Sequence, residues 1–445
     1  MEKWRKVKTE SKKIKYFGQK IAKRKIKKDI DITRGKRYNN RDSSATIFYG
    51  GDEPKNWCFM RILNQEKLNK VLTTRNLSDI AIGAIHGSQV IVNQNGKRVH
   101  EAVYGTNGLG GAPLQANATY RIASMTKPVT TLAVLIEVER GRIDLQAPIT
   151  DYLDGYKNLP IARLVDGKLQ TIGQSKTPIR VFQLLAHTSG VEMLDIVAAI
   201  TANMTEAQKP SLKAVVEYFA DKPLAFETHT AQSYGPHVAF DIAARIVEIV
   251  SGKDYATYVK ENIFDVIGMK DTTYTPTQEQ WGRIVKKHRI DENGKAANSP
   301  DDFEHIYGNN PLTYYAGGAG LMSTAEDYSL FAETLLHGGV APNGKRVIKE
   351  EILKHMYTPY CPPEFMDIPT QKTGVTWALG VRLFTNDDGK LPKGTFGWSG
   401  AYGTHFWVDP VNKITAIYMK NTDSFGGAGA LTAENFENDV MECLE

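Results

Sequence analysis

The sequence predicts an α/β (α+β) fold: an antiparallel sheet flanked by helices, with a mostly helical domain inserted in it. Three observations carry that expectation. The stretch "DIAIGAIHGSQVIVNQNGKRVHEAVYG" (residues 79–105) alternates like two strands joined at an Asn-Gly pair, the strongest short-range signal for a tight hairpin. Strand-like material returns near the other end in "GTFGWSGAYGTHFWVDP" (394–410) and "KITAIYM" (413–419), around an Asp-Pro-x-Asn turn. Between them, "RVFQLLAH", "LKAVVEYFAD" and "FDIAARIVEIVSG" read as helical segments separated by long loops. The expected division is a basic extension and linker over 1–60, an α/β sheet domain from 61–150 plus 301–445, and a mostly helical domain over 151–300.

In chain order, residues 1–29 place Trp4, Val7, Ile14, Phe17 and Ile21 among lysines, a loose helical stripe on a basic arm. Such an arm reads as a flexible extension, a membrane-surface helix or a nucleic-acid arm. Residues 30–60, with Asn-Asn, Gly-Gly and Pro, read as linker. "QEKLNKVLTTRN" reads as a helix before the first hairpin. "VTTLAVLIEVE" (129–139) is apolar nearly all round, so that helix should be buried, with Gly141 as its stop. "YYAGGAGLMSTAEDYSLFAETLLHGG" reads as a Gly-rich loop, a short strand and a helix, and a last helix is expected near 431–444.

At 445 residues and 41% apolar content the chain can bury a sizeable core. It carries 55 Lys+Arg and 50 Asp+Glu; residues 1–41 hold 17 and 4 of them, leaving 38 and 46, a formal −8. The basic character therefore belongs to the arm. Nucleic-acid binding is not expected, and a weak membrane-surface contact is left to the arm. Cys58, Cys361 and Cys443 form no C-x-x-C pair and no disulfide framework. With no signal-peptide core and no membrane-length apolar run, the expected location is cytoplasmic. No H-E-x-x-H or grouped Cys/His set implies a metal, and no cofactor is expected.

The chemistry starts at "RIASMTKPVT" (121–130), where Ser124 and Lys127 stand three apart. A serine hydroxyl is a poor nucleophile until a base removes its proton. A lysine can do so only where burial or nearby cations disfavour its charged form. Positions i and i+3 share a helix face, so the amine would reach the hydroxyl. Pro128 fits only in a first helical turn, which adds unpaired N–H groups and a positive dipole end. Two readings stay open on these ten residues: an activated nucleophile, or a serine cap beside a solvated lysine.

Further parts lie downstream. Tyr234, in a Gly-Pro turn just before an amphipathic helix, is a loop residue on rigid support and a candidate proton shuttle. Trp398, Ser399, Gly400 and Ala401 form a strand end whose small residues would let a substrate approach the backbone. The N–H groups of Ser124 and Ala401 are candidate oxyanion donors. His237 is a further candidate. "HTSG" (187–190), which tempts a triad with Ser189, reads instead as a helix stop with local hydrogen bonds.

With these stretches in order, the chain resembles the serine-reactive superfamily of class C β-lactamases, DD-peptidases and family VIII carboxylesterases. Their sequence of S-x-x-K, a tyrosine motif and K-T-G or its substitute is matched here. "IDLQAPITDYL", "FQLLAHTSG", "FDVIGMKDTTY" and "GGAGLMSTAEDY" are also similar, and the resemblance covers roughly 65–440. It implies a β-lactamase/transpeptidase-like fold with the site between the two lobes. It implies Ser124 as the acylated nucleophile, Lys127 as its base or proton-sharing partner, and Tyr234 as the proton shuttle. Trp398, Ser399 and Gly400 would occupy the K-T-G strand, with Ala401 as the second oxyanion donor.

Two departures bear on substrate. Trp398 replaces the K-T-G cation and Pro236 the asparagine of Y-x-N. An indole cannot pair with a carboxylate, which removes the electrostatic hold on penicillins and D-Ala-terminated peptides. Esterases of the superfamily show such a substitution, and the Y-G-P form resembles fungal acyltransferases of the same fold. The expected activity is a carboxylesterase for neutral short or medium acyl esters, with a small-molecule ester or amide as partner. The rivals are a β-lactamase, a D-amino-acid peptidase or amidase, an acyltransferase, and an inactive binding or assembly protein.

Overall fold

The computed structural model describes residues 60–191, 197–199, 204–205, 211–235, 237–290, 296–298, 314–365, 374–387, 391–422 and 430–445. The basic arm, the linker, Cys58 and Pro236 lie outside them. Every described residue belongs to one unit, Cys58–Glu445.

Helix α1 (Gln65–Ala81) begins where the Asn64 side chain accepts from the Lys67 N–H at 2.9 Å. Strands β1 (Gly87–Gln94) and β2 (Lys97–Gly105) pair antiparallel. Their turn residues, Asn95 and Gly96, both have positive φ (53° and 72°), the conformation that makes an Asn-Gly turn follow the strand twist. β3 (Tyr120–Arg121) leads into α2 (Thr126–Glu139), buried from Thr126 to Glu137 and stopped at Gly141 (φ 69°).

Residues 151–300 carry α3 (Val181–Leu185), α4 (Leu212–Phe219) and α5 (Val238–Ser251), the last closed by left-handed Gly252. They also carry two hairpins that periodicity did not announce: β4 (Pro160–Val165) with β5 (Lys168–Gln174), and β6 (His288–Ile290) with β7 (Ala296–Asn298). β5 is exposed along its whole length, so no buried face imprints an alternation on its sequence.

β8 (Met322–Ser323) pairs with β3 and precedes α6 (Ala325–Leu336), which Thr324 caps. β9 (Val375–Trp377), β10 (Arg382–Phe384), β11 (Phe396–Ser399), β12 (His405–Asp409) and β13 (Ile414–Met419) follow, then α7 (Leu431–Met441). The main sheet has seven strands in the order β2-β1-β13-β12-β11-β10-β9, every neighbouring pair antiparallel. Strands from the early and late parts of the sequence meet at the β1–β13 pair, the second and third strands of the sheet, where Ile91 faces Ile417.

The pleat sends alternate residues to two layers. On one face Val90, Trp407 and Ala416 pack with Leu68 and Leu72 of α1 and Phe436 and Val440 of α7. On the other Ile91, Phe406, Val408 and Ile417 join α2, α5 and α6. Each such Val, Leu, Ile or Phe side chain contributes roughly 1.5–3 kcal/mol by leaving water. Among the described residues no helix is long and apolar enough to cross a membrane.

Candidate active site

Ser124 lies in a short 3-10 turn, Ala123–Met125, between β3 and α2. Ala123 holds a left-handed φ of 44°, a strained value for a residue with a Cβ, directly before the serine. β3 is fixed by pairing Tyr120 with Ser323 and Arg121 with Met322, so the turn is anchored on both sides. The Ser124 side chain ends up nearly buried, and Lys127 is fully buried.

Lys127 Nζ donates to Ser124 Oγ at 3.2 Å and to the Gly318 carbonyl at 2.8 Å. It also stands 5.1 Å from the Tyr234 ring centre and 5.2 Å from that of Phe240, within cation–π range of both. The amine therefore does not point into solvent, and the reading of Ser124 as a cap beside a solvated lysine is excluded. Hydroxyl, amine and phenol ring belong to one cluster.

Tyr234 is half-buried just before α5. Trp398 Nε1 donates to its phenol oxygen at 3.1 Å. Its ring stacks on Trp377 at 5.7 Å, and Trp377 meets Trp398 edge-on at 4.5 Å. With its amide oxygen turned toward both donors, Gln232 accepts from the Tyr234 N–H and Trp377 Nε1, each at 3.1 Å.

His187 sits under Tyr234, with ring centres 4.8 Å apart, and accepts the Gly235 N–H on Nδ1 at 3.1 Å. Burial, and then the nearby Lys127 charge, hold its imidazole well below the usual histidine range, so it stays neutral. Around it, Thr188 N–H bonds the Gln183 carbonyl and Val191 N–H the Ser189 hydroxyl, the local pattern of a helix stop. The sequence reading missed His187 as a support for Tyr234; the structure gives it a left-handed φ of 59° at a non-glycine position.

The 316–320 loop closes another side. Asp241 of α5 accepts from the Gly317 N–H at 2.8 Å and from Tyr314 at 2.6 Å, while Thr130 bonds the Gly317 carbonyl. A Cβ at Gly317 would stand 2.3 Å from the Phe240 carbonyl, so only glycine fits. Burial pushes the Asp241 carboxyl up to about 7, against the pull of Tyr314, Gly317 and Lys127. An acid that binds its proton more tightly when folded stabilises the fold below the ordinary value of 3.8 and loses that contribution as pH rises through about 7. Asp241→Asn should therefore flatten the fall in Tm between about pH 4 and 7; an unchanged wild-type-minus-variant difference across that window would refute the assignment.

On β11, alternation separates the expected site residues. Trp398 faces Tyr234, whereas Ser399 points to the other side of the sheet, its Oγ 2.7 Å from His405 Nδ1. The structure does not bring the Ser399 side chain to Ser124. Gly400 instead lies against the turn that carries Ser124: a Cβ there would be 2.3 Å from the Ile122 carbonyl. His237 takes the cap position of α5 and is exposed. A cavity of about 180 Å³ at the base of β4–β5, lined by Tyr156, Ser175, Thr177 and Leu224, includes no residue of this cluster. No group of three or more His, Cys, Asp or Glu among the described residues could hold a metal.

A serine in a tight turn before a buried helix, with a lysine three residues on, beside a seven-stranded antiparallel sheet, defines a class, and the chain belongs to the Beta-lactamase family, matched over residues 74–435. Acyltransferase calJ of Penicillium decumbens is 26% identical over 365 residues, covering 74% of this chain and 82% of its own. Esterase EstB of Burkholderia gladioli is 24% identical over 382 residues, covering 80% and 89%. Among solved structures, EstCE1, a hydrolase with promiscuous acyltransferase activity, shares the fold at TM-score 0.71 and 19% identity, covering 84% of this chain and 99% of its own. The family thus has esterase and acyltransferase relatives, on a β-lactamase/transpeptidase-like fold.

Proposed function

We propose that this protein is a serine hydrolase that forms an acyl ester on Ser124, acting as a carboxylesterase on neutral short or medium acyl esters. The observation that carries the reading is the buried contact of Lys127 Nζ with Ser124 Oγ beneath the Tyr234 ring. Ser124 Oγ attacks the ester carbonyl while its proton passes to the Lys127–Tyr234 pair. The N–H groups of Ser124 and Ala401 receive the developing oxyanion. Tyr234 returns a proton to the departing alkoxide, and a water attacks the acyl ester in the reverse sequence. The Trp398 N–H holds the phenol oxygen in line for both transfers, a task for a donor that brings no charge for a substrate carboxylate.

The test of the class is mass spectrometry after treatment with a fluorophosphonate. One adduct on Ser124 is expected, and an intact protein that never forms it would favour an inactive binding role. The test of the substrate is turnover of p-nitrophenyl butyrate against a chromogenic cephalosporin. The ester should win by about 100-fold in kcat/KM, near the 3 kcal/mol that a lost charge-assisted contact costs. Preference for the cephalosporin would overturn the esterase reading. The calJ relationship supports a second reading, transfer of the acyl group to an alcohol. Product analysis with added alcohol separates the two: a new ester in excess of free acid marks a transferase.

A further inference from the structure

Behind β11, on the face away from Ser124, a chain of buried polar side chains runs to the terminal helix. Ser399 and His405 are direct cross-strand partners, with Oγ and Nδ1 2.7 Å apart. His405 Nε2 lies 3.0 Å from Glu437 Oε1. Arg382 of β10 holds the same carboxylate. Ser399, His405 and Glu437 are each less than 5% exposed. Burial pushes the Glu437 carboxyl up, but the Arg382 charge and His405 outweigh it and bring it down to about 2.

The order serine, histidine, glutamate has the look of a hydrolase triad. It is not a second reactive centre, because no substrate reaches a serine this deeply buried. Its position suggests another task. Ser399 is the last residue of β11, and the next residues form the turn that carries the Ala401 N–H. That turn is held by Gly400 N–H to the Thr404 carbonyl (2.7 Å), by Gly403 N–H to the Gly400 carbonyl (3.0 Å), and by Thr404 Oγ1 to the Ile122 carbonyl (3.2 Å). Both ends of the turn, at Ser399 and His405, are therefore tied to each other and to α7.

We infer that Glu437 is a positioning residue: through His405 and Ser399 it locks the Gly400–Thr404 turn, and with it the Ala401 N–H, at the mouth of the Ser124 site. The lock itself stands on geometry, while its catalytic consequence rests on the acyl-enzyme reading above. A donor aimed at the oxyanion is felt in the transition state more than in the bound substrate. A loosened turn should therefore lower kcat and spare KM.

The experiment uses the full chain with Glu437→Gln, Ser399→Ala, Ser399→Thr and the Glu437→Gln/Ser399→Ala double variant. Kinetics on p-nitrophenyl butyrate are measured beside hydrogen exchange of peptides spanning 398–405 and 87–105. Each of the two disrupting single variants should lose about tenfold in kcat with KM within about twofold. The double variant should lose no more than either single one, because the two act through one path. Ser399→Thr, which keeps the hydroxyl, should restore most of the rate. Exchange should quicken in 398–405 and not in 87–105. Losses that multiply in the double variant, an unchanged kcat, or equally faster exchange in both peptides would overturn the inference. A wild-type protein that never acylates would refute the functional reading alone, and the exchange pattern would then decide the lock.

Discussion

Ser124→Ala is expected to abolish fluorophosphonate labelling and to lower kcat by a factor on the order of 10⁴ or more, as removal of a covalent nucleophile does. The variant should fold normally. It deletes one oxygen from a nearly buried side chain, and Lys127 keeps its bond to the Gly318 carbonyl. The measurement is intact-mass spectrometry beside steady-state kinetics on the ester, with Tm as the control. Labelling that survives at full stoichiometry with native Tm would place the reactive oxygen elsewhere and remove Ser124 from the mechanism.

Lys127→Met carries the second-largest effect. Methionine fills much of the same volume between the rings of Tyr234 and Phe240 but can neither accept nor deliver a proton. The second-order rate of Ser124 labelling should fall about 10³-fold, within the range attributed to a positioned acid/base. The substitution also orphans the Gly318 carbonyl, which costs about 1–3 kcal/mol and should lower Tm. The two effects separate cleanly, since labelling is measured at a temperature where the variant is fully folded. A labelling rate within tenfold of wild type would show that the serine is activated by some other group.

The parts of this site visible in the sequence are those whose signal is local. Pro128 and the apolar run behind it mark a helix start, so Ser124 and Lys127 are recognisable three residues apart. Asn95-Gly96 marks its own turn. Tyr234 is visible because a turn and an amphipathic helix follow it.

What stayed hidden depends on partners far along the chain. Nothing near His187 says that Tyr234, 47 residues later, will rest on it. The Asp241–Gly317 bond spans 76 residues, and the link from His405 to Glu437 joins a strand to the final helix. Ser399 is a different case, since the period-2 rule alone turns it away from a face that Trp398 occupies. Treating Trp398, Ser399 and Gly400 as a block of three obscured an alternation that the sequence does contain.

The pairing of β1 with β13, Ile91 against Ile417, has a consequence for synthesis. A nascent polypeptide that has left the ribosome only as far as residue 390 already contains Ser124, Lys127 and Tyr234, yet it lacks the strands that complete the hearth of the sheet. Such a truncated product is expected to take no fluorophosphonate label. On the proposed function, labelling of Ser124 should begin only with chains long enough to include Trp398, whose N–H reaches the Tyr234 phenol.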